Sequence, residues 1–115
     1  RTPLQYLDDI LESMDRIQAF IAGLDRETFS KNLMAGDAVL RNLEVLGEAA
    51  RNLPQDIRDA HDEIPWRRMI GLRNIVAHEY FGVDDEIIWR IVSSDLPPTR
   101  MAVVSLRDEL EGLYL

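Results

Sequence analysis

The chain contains no cysteine, which excludes a disulfide framework and any thiolate metal site. No apolar run approaches the length of a membrane span, and no signal peptide is visible. A cytoplasmic protein without a membrane partner is therefore expected. Low-complexity tracts and internal repeats are absent. Lysine is nearly absent, since Lys31 is the only one among 13 basic residues, a bias that genome composition explains. Positive charge is outnumbered, with 13 Lys and Arg against 21 Asp and Glu and a net charge of −8. A general nucleic-acid coat would be basic overall and is excluded. An enzyme with one local positive site is not. The acidic remainder keeps the protein soluble or suits a basic partner.

At 115 residues and 46% apolar composition, the chain is long enough for one packed core and too short for two. Residues 1–115 are expected to form a single domain. Apolar residues recur at three- and four-residue steps, the period of a helix face. Thr2 and Pro3 suit a cap and first turn. Leu4, Leu7, Ile10, Leu11, Met14, Ile17, Ile21 and Leu24 carry the stripe of a first helix, which Gly23 helps to end. A second helix is expected from Thr28 or Ser30 to about Leu53. Its face includes Leu33, Leu40, Leu43, Leu46, Ala49 and Ala50. Gly36 and Gly47 lie inside it, each weakening a helix by about 1 kcal/mol against alanine. Close approach of a neighbouring helix would explain them. Arg41, Glu44, Glu48 and Arg51 are spaced to pair along one ridge. The simpler reading is a solvated charged ridge, and the alternative sets Glu44 or Glu48 in an active cleft beside Arg73. Pro54 ends the helix, and residues 54–64 read as a polar connection anchored by Ile57 and Ile64. Asp56, Asp59, His61, Asp62 and Glu63 crowd there without the spacing of a ligand motif, so no metal is expected.

The stretch from Ile64 to Gly82 organises the chain. Pro65 suits the first turn of a helix and Gly82 its stop. At about 100° per residue, Tyr80 falls roughly 20° from Arg73, Asn74 about 100° and His78 about 140°. Met69, Leu72, Ile75 and Val76 take the opposite side, and Ala77 leaves room within the polar arc. Beyond it, Asp84 or Asp85 caps a helix containing Ile87, Ile88, Trp89, Ile91, Val92 and Leu96. Pro97 and Pro98 break the chain and open a last helix through Met101, Val103, Val104, Leu106, Leu110 and Leu113. No segment reads as paired strands. The expected fold is all-α, an up-down bundle of four main helices plus a shorter one.

The polar arc suits phosphate chemistry. Arginine is a permanent cation whose fork of donors matches phosphate oxygens. Histidine takes and gives a proton near neutral pH. Asn74, one turn before His78, would orient the imidazole or a substrate oxygen. Arg67 and Arg68 precede Arg73 with no acid between them, and they are candidate RNA contacts. The plainer alternative is that Arg73 and His78 satisfy local carbonyls and the helix dipole.

The run Arg73-Asn74-Ile75-Val76-Ala77-His78-Glu79-Tyr80 resembles the Arg-x4-His-x-Tyr signature of HepT-type toxins, members of the HEPN superfamily. Residues 42–50 resemble the family's second-helix block. Pro65-Trp66-Arg67 before the signature and residues 80–84 after it are similar as well. The likeness runs from Leu4 to about Leu113, with no departure at Arg73, His78 or Tyr80.

The resemblance implies a HEPN-like helical domain and a ribonuclease with catalytic Arg73 and His78. It needs no cofactor. It also implies a homodimer whose paired signatures line a shared cleft, which would supply two histidines from one sequence. Finally, it implies a minimal nucleotidyltransferase antitoxin that transfers AMP to Tyr80. Two other classes stay open: a non-catalytic partner module for that nucleotidyltransferase, and a nucleotide-binding helical domain in which Arg73 holds a phosphate without chemistry.

Overall fold

The structure, a computed structural model, describes residues 1–78 and 84–113, without the side chains of residues 75, 77 and 78. Every regular element among the described residues is a helix, as the apolar periodicity requires. In chain order they are α1 (Pro3–Ile21), α2 (Arg26–Lys31), α3 (Leu33–Asn52), α4 (Gln55–Ala60), α5 (Trp66–His78), α6 (Asp85–Arg90) and α7 (Leu96–Leu113). A π-helical turn, Ile91–Asp95, joins α6 to α7.

Local chemistry sets the boundaries of the first helices. The Thr2 side chain accepts the Gln5 N–H while the Gln5 side chain accepts the Thr2 N–H, a reciprocal cap that starts α1. Gly23, at φ 78°, turns the chain out of α1 in the left-handed region that glycine enters without a Cβ penalty. Asp25 then caps α2 by accepting the Thr28 N–H at 2.9 Å, a bond that lowers its pKa.

The single helix expected from residue 28 or 30 to residue 53 is two helices. Asn32 divides them, because its side chain accepts the Ala35 N–H at 3.0 Å and caps α3 while its own N–H closes α2 on the Phe29 carbonyl. The connection at 54–64 contains the short α4, with Ile57 half-buried and Ile64 buried as its anchors. Pro65 stands just before α5 rather than in its first turn, and its carbonyl receives the Met69 N–H.

Pro97 and Pro98 do begin a helix, yet no break precedes it. The Leu96 N–H bonds back to the Ile91 carbonyl, five residues earlier, so a widened turn carries the chain from α6 into α7. In the first turn of α7, the missing proline N–H groups are ones with no partner to lose in that helix.

Helix α3 is the shared wall of the bundle, packed against α1 on one side and α5 on the other. Leu43, Leu46, Ala50 and Val39 of α3 are fully enclosed. From α1, Leu7, Ile10, Met14 and Ile17 meet them in one apolar cluster. Helix α7 lies against the far side of α1 through Val103 and Leu106, tied by Arg100 to Asp15 and by Arg107 to Asp8. Those pairs fix α1 and α7 as antiparallel. Phe29 of α2 stacks obliquely on Trp89 of α6, with ring centroids 5.3 Å apart. Four residues expected on apolar faces are instead exposed: Leu33 at 81%, Leu113 at 75%, Met101 at 72% and Ile87 at 47%.

Gly47 lies where α3 and α5 cross. A Cβ there would come within 2.6 Å of both the Arg73 Cβ and the Met69 carbonyl oxygen. Close approach accounts for this glycine. Gly36 has nothing within 4 Å of such a Cβ, so the same explanation fails there.

Leu43→Ala should lower stability by about 2–5 kcal/mol in urea unfolding, because the emptied volume cannot fully collapse. Leu33→Ala, at an exposed site, should stay within about 0.5 kcal/mol. Gly47→Ala should cost about 1–3 kcal/mol or more, since backbone rather than a flexible side-chain tip stands in the way.

Candidate functional site

Helix α5 sorts its residues as the helical period demands. Met69 and Val76 are buried, Arg73 is half-buried and Asn74 is exposed. The helix continues unbroken through the backbone of His78, five residues after Arg73. Tyr80 lies outside the described residues, as does the His78 side chain. Of the expected constellation, Arg73 and Asn74 are therefore the two whose side-chain geometry is given, and they are in contact. The Arg73 Nη1 donates to the Asn74 Oδ1 at 3.1 Å.

The root of Arg73 rests on α3. Because Gly47 has no side chain, the Arg73 Cβ comes up against the backbone of α3 there. One residue on, Glu48 turns its carboxylate to the guanidinium, with Oε2 3.0 Å from the Arg73 Nε. The ridge pairing expected along α3 is also present: Arg41 to Glu44 at 3.6 Å and Arg51 to Glu48 at 3.8 Å. Glu48 thus belongs both to the ridge and to Arg73. The alternative that put an α3 carboxylate beside Arg73 holds for Glu48. Glu44 lines the same groove as Arg73, between α1 and α3, together with Tyr6, Asp9 and Arg41.

A wider groove of about 790 Å³ opens on the other flank of α5, towards α4. Arg67, Gly71 and Asn74 line it from α5, each one turn from the next, and Arg58 and Asp59 line it from α4. A Cβ on Gly71 would meet nothing within 4 Å, so this glycine adds open space beside Asn74. Sequence reasoning passed over Gly71 and α4. The available signal was a glycine spaced four residues from Arg67 and three from Asn74, on one face of a helix.

Arg67 and Arg68 are exposed, and neither enters an ion pair among the described residues. Of the crowded acids of the α4 region, Asp59 and Glu63 have ordinary partners. Gln55 donates to Asp59 at 2.8 Å, and His61 stands 3.5 Å from each of Glu63 and Glu109. Among the described residues, no three His, Asp or Glu side chains converge as metal ligands would.

In chemical terms, the site offers a half-buried guanidinium held on two sides, with an amide at its edge and, five and six residues earlier on the same helix, two exposed cations without ion pairs among the described residues. That is a seat for an anionic oxygen.

Comparison with known proteins identifies the family. A protein of Methanocaldococcus jannaschii, provisionally named an RNase, is 42% identical over 98 residues, covering 85% of this chain and 90% of that one. The "probable ribonuclease HepT" of Thermococcus cleftensis is 38% identical over 107 residues, 93% of this chain and 97% of that one. A Caldanaerobacter subterraneus protein, also provisionally named an RNase, is 37% identical over 97 residues, 84% and 87% of the two chains. No solved structure gave a significant match. The family model described as "Ribonuclease HepT-like" matches residues 10–106, a span that takes in both α5 and the α3 surface on which Arg73 rests. The chain belongs to the HepT-like family of ribonucleases.

Proposed function

We propose that this protein is a metal-independent endoribonuclease that acts as a homodimer. It is the toxin of a pair whose antitoxin is a minimal nucleotidyltransferase. The observation that carries the reading is the Arg73 guanidinium. It sits half-buried at the rim of the α3–α5 crossing, root packed at Gly47 and Nη1 on Asn74, in a chain of the HepT-like family.

The reaction needs a base, an acid and a cation, and no redox step. The 2′-hydroxyl of the substrate loses its proton to one imidazole and attacks the adjacent phosphorus. The new O2′–P bond forms as the P–O5′ bond breaks, and the departing 5′-oxygen takes a proton from a second imidazolium. Arg73 neutralises the charge that builds on the phosphoryl oxygens. Two histidines divide the acid and base roles more easily than one. A two-fold symmetric pair of chains supplies both copies of His78 to one cleft. Asn74 orients the imidazole or a phosphate oxygen. Arg67 and Arg68, exposed and unpaired among the described residues, contact flanking phosphates.

Tyr80 is the point of control in this reading. AMP attached to its hydroxyl would put a phosphate charge and a purine where the RNA phosphate binds, which blocks the site by repulsion and by bulk.

Arg73→Ala and His78→Ala should each lower cleavage of a defined RNA by about 10²-fold or more, with EDTA present throughout and the helical circular-dichroism spectrum unchanged. Parental cleavage by either variant would overturn the assignment, and cleavage abolished by EDTA would overturn metal independence. Expression with the nucleotidyltransferase partner should add whole AMP units to the chain by mass spectrometry, and Tyr80→Phe should stop the addition.

A further inference from the structure

Within that reading, one side chain has a role beyond the signature itself. We propose that Glu48 is a positioning residue that, with Gly47, fixes the Arg73 guanidinium for contact with the scissile phosphate. The proposal rests on Arg73 as the phosphate-binding cation.

The argument begins with where the Glu48 carboxylate lies. Its Oε2 is closed off from solvent and has no aligned hydrogen bond among the described residues. It sits 3.0 Å from the Arg73 Nε and 3.8 Å from the Arg51 Nη1. A carboxylate oxygen taken out of water without hydrogen bonds is a poor stabiliser, even beside cations. A ridge glutamate free to rotate into solvent would avoid that cost. The two side chains stay 30% and 45% exposed, so this pair sits at the rim of an open groove and not in the core.

What the arrangement does achieve is restraint. Arginine has many rotamers, and a phosphate that captures a wandering guanidinium must first freeze it. Here the Cβ is stopped against Gly47, the Nε faces Glu48 and the Nη1 is bound to Asn74. The Nη2 amino group is left without a partner among the described residues. A donor already held in place adds to transition-state stabilisation without a reorganisation cost at the moment of reaction. The glycine and the glutamate are neighbours in sequence for this reason. One lets α5 approach, and the other meets the side chain that the approach delivers.

Charge provides the way to tell positioning from scaffolding. Glu48 offsets part of the Arg73 charge in the free protein. Removing that negative charge should strengthen ground-state attraction for RNA while loosening the geometry that turnover requires. A residue needed only for folding would lower the active fraction and leave KM and salt dependence alone.

The experiment measures steady-state cleavage of one defined single-stranded RNA by wild type, Glu48→Gln, Arg73→Lys and the double variant, with Arg73→Ala as reference. Glu48→Gln should lower kcat about tenfold, leave KM unchanged or reduced, and keep the melting temperature. It should also steepen the salt dependence of RNA binding by about 0.7 in the log–log slope, one phosphate contact on a single strand. In the Arg73→Lys background, the same change should have little further effect on kcat, because the group it positions is gone. Glu48→Met, of similar length with no polar atom, should repeat the kcat loss. Parental kcat and KM in Glu48→Gln, with Arg73→Ala inactive, would overturn this inference alone. So would an equal tenfold loss in the Arg73→Lys background. Parental activity in Arg73→Ala would instead overturn the ribonuclease reading on which it rests.

Discussion

The contact between the Arg73 Cβ and the backbone of Gly47 is the constraint on which the site depends. Helices usually pack with side chains interleaved and axes about 8–10 Å apart. A glycine at the crossing removes one layer of side chain and brings backbone into the interface. Met69, one turn before Arg73, presents its carbonyl at the same crossing and buries its side chain in the core. The apolar stripe of α5 and its polar edge are therefore set by one crossing. Any change that moves Met69 in the core also moves Arg73 at the rim.

The charges outside the crossing have a different job. Most arginines of this acidic chain are spoken for, as in Arg100 with Asp15, Arg107 with Asp8 and Arg26 with Glu86. Such exposed pairs add little to stability one by one. They do, however, use up cations that would otherwise bind polyanions indiscriminately. Arg67 and Arg68 stand outside that pairing among the described residues, on the helix that carries Arg73. A negative protein with few uncommitted cations repels nucleic acid over most of its surface and admits it only where those cations stand.

Much of this was legible in the residues, and the failures have physical causes. The caps at Thr2 and Asp84 and the exit at Gly23 obey local rules that need no tertiary partner, whereas the cap at Asp25 was missed because the helix it starts was expected from residue 28 or 30. The exposure of Asn74 and the burial of Met69 and Val76 follow from 3.6 residues per turn, whereas the half-burial of Arg73 against α3 does not. Asn32 hid a helix boundary because asparagine is tolerated in helices, and only its hydrogen bond to Ala35 reveals a cap. Helix α4 is too short for periodicity to register. Pro97 and Pro98 were read as a break because that rule assumes α geometry upstream, and the turn before them is π. Glu48 had two partners within reach, Arg51 by helix spacing and Arg73 by packing. Spacing alone could rank only the first, since the second exists because Gly47 lets α5 come near.

The π turn at Ile91–Asp95 holds one residue more than an α turn over the same rise. The wider turn takes up that residue itself and passes no change of phase downstream. Excising a single residue there would restore ordinary winding and leave Val103, Leu106 and Leu110 on α1, with Arg100 and Arg107 still beside Asp15 and Asp8. In this stretch the fold constrains the path of the chain more tightly than the number of residues that trace it.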